Sequence, residues 1–132
     1  MSTVLVVEDS KLMQAYYSQI FRGMPGFEVA YVRNGQEALD HIEGQGAPDL
    51  VVLDINMPVM DGLEFLGRLK GSKAALTAKV LIVSTEGKQD DLMRGMEAGA
   101  SAYLTKPFRP EQLAGVLMGL AERSAAQAGG HR

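Results

Sequence analysis

The sequence predicts an α/β fold, in which a five-stranded parallel sheet carries helices on both faces. Five short apolar runs alternate along the chain with segments whose apolar residues recur at helical spacing. Such alternation favours right-handed crossovers, which place parallel strands in one sheet with helices on either side. The 132 residues suffice for one domain with its own core, and we expect no second folded module.

The first strand and the first helix follow from the start of the chain. Val4 to Val7 is a wholly apolar run, and two adjacent acids, Glu8 and Asp9, come directly after it. Apolar residues then recur at spacings of three and four, which predicts a helix with one buried face that Pro25-Gly26 ends. The residues on that face are Met13, Tyr16, Tyr17, Ile20 and Met24.

The second strand is predicted over residues 27–32, and the second helix follows it. Asn34-Gly35 is typical of a tight hairpin, but the next apolar residues have helical spacing, so we predict a turn into a helix. Those residues are Ala38, Leu39 and Ile42. A loop over residues 44–48 then leads into the third strand.

The third strand carries the most informative residue. Residues 49–53 are led by an acid, are otherwise apolar and are rich in β-branched residues, as expected for a strand buried on both faces. Asp54 therefore lies at the carboxyl end of the strand, the edge at which open α/β sheets bind ligands. Pro58 and Asp61-Gly62 predict a loop before the third helix, with Asp61-Gly62 as a turn.

The second half of the chain continues the alternation. The predicted elements are a helix ended by Gly71, a strand over 79–84, a helix over 89–98, a strand over 102–105 and a helix from Pro110. We expect Leu92 and Met96 to face inward, Gly99 to end its helix, and most methionines to fill the core. Residues 1–124 are predicted to form the domain, and residues 125–132 a flexible C-terminal tail.

Composition excludes several kinds of partner and site. The net charge is −3 and the 13 basic residues are scattered, so no nucleic-acid surface is indicated. The absence of cysteine excludes disulfides and thiolate metal sites. The sequence has no long apolar segment of the kind that inserts into a membrane, and we expect a cytoplasmic location.

Polar groups follow four of the five predicted strands. They are Glu8 and Asp9, Asp54, Ser84 and Lys106. Three nearby carboxylates repel one another, so raised pKa values, a cation or both must relieve them. Oxygen ligands without histidine or cysteine suit Mg²⁺, with Mn²⁺ as an alternative.

A lysine and a serine beside such a cluster indicate a site for a phosphoryl group. Asp54 is the best candidate nucleophile, because a carboxylate can attack phosphorus directly. Lys106 and the metal would stabilise charge on the transferred group, with Glu8 and Asp9 as metal ligands, direct or through water. Simpler interpretations remain open: Asp9 or Ser10 as an N-cap, Ser84 as a strand end, Lys106 as a surface lysine and Tyr103 as a half-buried aromatic residue.

These residues resemble the receiver domain of two-component response regulators over roughly residues 3–124. The matching motifs are Glu8-Asp9, Asp54-Ile55-Asn56-Met57-Pro58, Asp61-Gly62, Ser84-Thr85 and Lys106-Pro107-Phe108. The resemblance implies a flavodoxin-like, CheY-like sheet with strand order 2-1-3-4-5. With Asn56, Glu86 and Gly87, it is most similar to the CheY-like single-domain type.

The resemblance also implies a role for each residue of the set. Asp54 would accept a phosphoryl group from a phosphohistidine on a histidine kinase. Asp9, Asp54 and the backbone carbonyl of Asn56 would hold Mg²⁺. Ser84 would turn toward the phosphoryl group and Tyr103 would change rotamer with it. Lys106 would pair with the phosphate, and the Lys106-Pro107 peptide bond would be cis.

We therefore expect a stand-alone, monomeric signalling switch and not an enzyme, which changes partner binding through helix four, strand five and helix five. Chemotaxis or motility is one pathway, and a phosphatase is a further candidate partner. The alternatives are a docking protein that is not phosphorylated and a phosphorelay intermediate without a motility role. A dehalogenase-type hydrolase is disfavoured because Asn56 replaces its second acid, and no glycine-rich nucleotide motif follows the first strand. Ile55, Arg109 and Ser10-Lys11-Leu12 depart from the family pattern.

Overall fold

A computed structural model describes residues 2–55, 62–71, 78–85 and 89–129 of the chain, and its elements alternate as predicted. The strands are β1 (Ser2–Val7), β2 (Phe27–Val32), β3 (Leu50–Asp54), β4 (Lys79–Thr85) and β5 (Ala102–Lys106). The helices are α1 (Lys11–Arg22), α2 (Gly35–Gln45), α3 (Gly62–Lys70), α4 (Gln89–Glu97) and α5 (Pro110–Gly129). All strand pairs are parallel, in the order β2-β1-β3-β4-β5, which confirms the predicted flavodoxin-like fold.

The core lies in two layers, one on each face of the sheet. Val4 and Val6 of β1 contact a cluster that α1 and α5 complete, while Leu5 and Val7 contact a cluster that α2, α3 and α4 complete. This division follows from the alternation of side chains along a strand. We call these the α1/α5 face and the α2/α3/α4 face. Every residue of β3 is buried, because helices cover the central strand on both faces.

Side-chain caps determine where the first two helices begin. The Ser10 hydroxyl accepts a hydrogen bond from the Met13 N–H at 3.2 Å, at the start of α1. At the start of α2 the Asn34 side chain accepts from the Glu37 N–H at 2.9 Å. The Glu37 carboxylate in turn accepts from the Arg33 N–H at 2.8 Å. These bonds confirm the predicted turn into a helix in place of a hairpin.

The last helix extends into the predicted C-terminal tail, whose flexibility stays a prediction. Helix α5 continues to Gly129, so residues 125–129 of the predicted flexible tail are helical backbone. Alanine is frequent from residue 121 to 128 and has the highest helix propensity, which accounts for the continuation. Residues 130–132 lie outside the described part. At the other end of α5 the Gln112 side chain accepts from the Arg109 N–H at 2.7 Å, which supplies one half of a capping box although Arg109 itself cannot cap.

The expectation that methionines mainly fill the core is wrong for α4 and α5. Met93, Met96 and Met118 are exposed, whereas Leu92 is buried as predicted. In α4 the reason is Gly95, at which an added Cβ would overlap the Ile82 side chain of β4. The helix thus approaches the sheet along the side shared by Leu92 and Gly95, which turns Met96 toward solvent.

Among the described residues, none of the helices has both the length and the apolar character needed to cross a bilayer.

Candidate functional site

Three carboxylates meet at the carboxyl edge of the sheet. Val7 of β1 pairs with Leu53 of β3, so the residues that follow, Glu8 and Asp54, lie side by side. Asp9 is the next residue in the chain. One carboxylate oxygen from each of the three acids lies within 4.8 Å of the others. The structure thus brings together the acidic cluster that the strand ends predicted.

Lys106 reaches this cluster from β5, two strands away from Asp54. Ala102 and Leu104 pack on the α1/α5 face, and the alternation of β5 places Lys106 on that same face. The Lys106 Nζ lies 3.2 Å from Glu8 Oε1 and 3.3 Å from Asp54 Oδ2. One ammonium group therefore bridges the carboxylates of two different strands.

The bridge is mostly shielded from water. The exposed fraction of the side chain is 2% for Glu8, 9% for Asp54 and 19% for Lys106. The second oxygen of Glu8 accepts a hydrogen bond from the Ser10 N–H at 3.1 Å, and the Gln14 side chain donates to the Glu8 carbonyl at 2.7 Å. Partial burial strengthens these charge interactions relative to bulk water.

Burial and charge shift the pKa of two of these groups. Burial raises the pKa of Glu8 above its ordinary value of 4.5, and the Asp54 charge raises it further, against the Ser10 N–H and Lys106, which lower it. Burial acts to lower the pKa of Lys106, but the charges of Asp54 and Glu8 outweigh it and raise that pKa above 10.5. Lys106 therefore remains cationic at neutral pH, while the ionised form of Glu8 is held at a free-energy cost.

We expect this cost to appear in the pH dependence of unfolding. Because the folded-state pKa of Glu8 is raised, its contribution to stability is fully present below 4.5 and is lost as the pH rises through the raised value. In the metal-free protein at neutral pH, Glu8→Gln should therefore increase the free energy of unfolding. Urea unfolding with EDTA at a series of pH values measures this, and Glu43→Gln on the exposed side of α2 is the control. Equal pH dependence in wild type and Glu8→Gln would contradict the electrostatic account.

The predicted switch residues, Ser84 and Tyr103, lie on the opposite face of the sheet from Lys106. Val80 and Ile82 pack on the α2/α3/α4 face, so the alternation of β4 places Ser84 there, fully buried. Tyr103 of β5 is 55% exposed, more than the half-buried position expected for a strand aromatic residue. It lines a groove of about 600 Å³ together with Leu92, Met93, Met96, Glu97 and Thr105.

Of the remaining predicted residues, some lie in the described part of the chain and others do not. The Lys106-Pro107 peptide bond is cis. Asn56, whose carbonyl the resemblance implies as a metal ligand, lies outside the described residues, as do Asp61 and Glu86. His41 is partly exposed and lines a cavity with Thr3 and Pro48, near the amino ends of β1 and β3, and His131 is outside the described part.

Sequence reasoning did not identify the residues that hold the cluster in place. The Ser10 N–H and the Gln14 amide both bind Glu8, and Tyr16 of α1 donates a hydrogen bond to the Phe108 carbonyl at 3.0 Å. The helical pattern marked Tyr16 only as a residue of the buried face. No sequence signal could have revealed its hydroxyl partner, which depends on how α1 lies against the loop after β5.

Fold and site together define a class of protein. It is an open, doubly wound α/β domain with a buried carboxylate at the end of its central strand, two further acids beside it and a lysine bridge. The model of the family described as the response regulator receiver domain matches residues 4–117. The chain belongs to this family.

Individual relatives agree with that assignment. The chain is 39% identical over 111 residues to a protein-glutamate methylesterase/protein-glutamine glutaminase of Treponema pallidum, covering 82% of this chain and 27% of that protein. It is 38% identical over 125 residues to the transcriptional regulatory protein PrrA of Mycobacterium tuberculosis, covering 95% of this chain and 52% of PrrA. The chain thus spans between about a quarter and about half of the length of these curated relatives.

A solved structure extends the similarity to three dimensions. The chemotaxis response regulator CheY4 of Vibrio cholerae superposes with a TM-score of 0.82 at 32% sequence identity. The match covers 91% of this chain and 98% of that one. A receiver domain is a signalling module, and the match to CheY4 spans nearly the whole of both chains.

Proposed function

We propose that this chain is a stand-alone response regulator whose Asp54 accepts a phosphoryl group from a phosphohistidine of a histidine kinase. The observation that supports this most directly is the position of the Asp54 carboxylate. It lies at the carboxyl end of β3, with the Lys106 ammonium at 3.3 Å and two other acids within 4.8 Å. Catalysis would be confined to the transfer to and from Asp54, so the protein acts as a switch and not as a metabolic enzyme.

The proposed step is an in-line displacement at phosphorus. A carboxylate oxygen of Asp54 forms a bond to the phosphorus atom while the bond from phosphorus to the histidine nitrogen breaks. The nitrogen retains the electron pair of that bond, and a proton then neutralises it. Lys106 can neutralise charge on the phosphoryl oxygens, because its ammonium is already held beside Asp54.

The donor set fits a hard divalent cation. Glu8, Asp9 and Asp54 offer only carboxylate oxygens at the cluster, the chemistry that Mg²⁺ prefers over ligands of nitrogen or sulfur. Asp9 and Asp54 would hold the ion, with Glu8 direct or through water and the Asn56 carbonyl as a further ligand. Bound there, Mg²⁺ would neutralise the carboxylates and the phosphoryl oxygens; Mn²⁺ has compatible chemistry.

The proposed output surface comprises α4, β5 and α5. Ser84 and Tyr103 are both on the α2/α3/α4 face by the alternation of β4 and β5, next to α4. A movement of Ser84 toward a phosphoryl group would open space on that side of the edge, into which Tyr103 could turn. Such a change requires only a modest difference in free energy between two packed arrangements.

The pathway in which the protein would act is also proposed. Similarity over nearly the whole chain to CheY4, a chemotaxis protein, favours a role in chemotaxis or motility. The proposal also includes a monomeric state and a cytoplasmic location. The phosphorelay alternative differs in its chemistry, because Asp54 would then pass its phosphoryl group on to a second histidine. A docking protein that is not phosphorylated would need none of the Lys106, Asp54 and Glu8 arrangement. A phosphatase remains a candidate partner in the first two cases.

Phosphorylation by a small donor tests the central claim. We expect the wild-type protein to gain the mass of one phosphoryl group when incubated with acetyl phosphate and Mg²⁺, and none when EDTA replaces the metal. Intact-protein mass spectrometry at short intervals measures both. A wild-type protein that stays unmodified at saturating donor and metal would remove the proposed function and favour the docking alternative.

Lys106 is expected to matter for the response more than for acceptance. Lys106→Ala should still accept the phosphoryl group, although more slowly than wild type, since Asp54 and the metal ligands remain. It lacks the cation that would hold Asp54 and the phosphate in the switched geometry. In ¹H–¹⁵N spectra we expect phosphorylation to shift the amides of α4 and β5 in wild type and to shift them much less in this variant. Lys79→Ala, at the opposite end of β4, is the control. Shifts of equal size in Lys106→Ala and wild type would contradict this role.

A further inference from the structure

Two tyrosines of α1 contact the loop that follows Lys106, residues 107–109. The Phe108 ring is buried, and its centroid lies 5.8 Å from the centroids of both Tyr16 and Tyr17. The Tyr16 hydroxyl also donates a hydrogen bond to the Phe108 carbonyl at 3.0 Å. Helix α1 thus contacts this loop through the rings of Tyr16 and Tyr17 and through one hydrogen bond.

Lys106 depends on this loop because of its place in the sheet. It is the last residue of β5, which is the edge strand of the order β2-β1-β3-β4-β5 and is paired only with β4. The Cα of Lys106 pairs with that of Thr85, the last residue of β4. The end of an edge strand frays easily, since no second strand holds it. The next anchor along the chain is Phe108.

The side chain of Lys106 must also extend toward the amino end of β4 to reach its partners. Asp54 pairs with Val83, whereas Lys106 pairs with Thr85, two residues further along β4. The ammonium therefore returns across the end of β4 to make its two contacts of 3.2 and 3.3 Å. A displacement of the Lys106 backbone would change both contacts, because the side chain has to span this offset and the width of β4 to reach them.

We infer that Tyr16 is a positioning residue, whose hydroxyl fixes the backbone after Lys106 and thereby holds the Lys106 ammonium between Glu8 and Asp54. The inference rests on the proposed function where it concerns phosphoryl transfer, and on the geometry alone where it concerns the order of Lys106. Tyr16 itself does not touch the reacting atoms. The ring contacts bury the Phe108 side chain, while Pro107 and Arg109 stay exposed, and the Tyr16 hydroxyl adds a directed hydrogen bond to the Phe108 carbonyl.

The matched pair of variants is Tyr16→Phe and Tyr31→Phe. The first removes only the hydroxyl and keeps the ring against Phe108. It also preserves the wall of the open groove of about 560 Å³ that Tyr16 lines beside Lys106, which Tyr16→Ala would not. The second also removes a tyrosine hydroxyl that bonds α1, through Ser18. Tyr31 itself lies on β2, at the opposite edge of the sheet from β5.

Two measurements test the inference. With acetyl phosphate and Mg²⁺, Tyr16→Phe should reduce the rate of phosphorylation about three- to tenfold, the range expected from one lost neutral hydrogen bond, while Tyr31→Phe leaves the rate near wild type. In a Lys106→Ala background the same change should have no effect, because a residue that acts through Lys106 has nothing left to position. A purely structural role would reduce the rate in both backgrounds.

The second measurement does not require phosphorylation. In protein labelled with ¹³C-lysine, the relaxation order parameter of the Lys106 Cε should fall in Tyr16→Phe and stay unchanged in Tyr31→Phe. An unchanged order parameter, or an equal rate loss with and without Lys106, would overturn the positioning role. If the wild type accepts no phosphoryl group at all, the proposed function fails, and the order parameter still decides whether Tyr16 positions Lys106.

Discussion

Asp54→Asn is expected to gain no phosphoryl group under conditions in which the wild-type protein gains one. Asparagine keeps the size and shape of the side chain but replaces the anionic oxygen with an amide, which is a poor nucleophile and a weaker ligand for Mg²⁺. The loss should be complete, because none of the neighbouring acids shares the position of Asp54 at the end of the central strand. Intact-protein mass spectrometry with acetyl phosphate and Mg²⁺ gives the answer directly.

The control for this experiment is Asp40→Asn, which removes one negative charge from α2, where Asp40 accepts a hydrogen bond from Gln36. It should be phosphorylated at the wild-type rate. Asp54→Asn should also remain folded, since it removes a charge that raises the pKa of Glu8 and so relieves repulsion at the site. A folded Asp54→Asn that still gains one phosphoryl group would show that another side chain is the acceptor.

Phe65→Ala is expected to cause the largest loss of stability, about 3–5 kcal/mol, because it leaves a cavity where a fully buried aromatic ring was. Phe65 comes from α3 and belongs to the same core cluster as Leu53 and Ile55, the residues on either side of Asp54. The midpoint of urea unfolding measures the change, provided that the slope of the transition is unchanged.

Leu12→Ala on α1 is the control for the core substitution. Leu12 is 81% exposed, so its truncation should alter the free energy of unfolding by no more than about 0.5 kcal/mol. A loss in Phe65→Ala as small as that in Leu12→Ala would mean that α3 is not packed against the sheet as described.

Much of the fold could be predicted from local pattern. The five strands, their alternation with helices and the turn at Asn34 are all present, because each depends on neighbouring residues: apolar runs, helical spacing and a capping side chain. The resemblance to receiver domains then supplied the strand order. The expectation that failed concerns the face of a helix. Met96 is exposed because Gly95 brings α4 close to the sheet.

By itself, the sequence determined which polar groups follow the strands, since parallel strands deliver their carboxyl ends to one edge. Only the tertiary structure decided which of these groups touch. Lys106 meets Glu8 and Asp54 across separations of 98 and 52 residues, and Tyr16 meets Phe108 across 92. Contacts of about 3 Å between such distant residues depend on strand register and on the tilt of α1 against the sheet, and both are set by how the whole core packs.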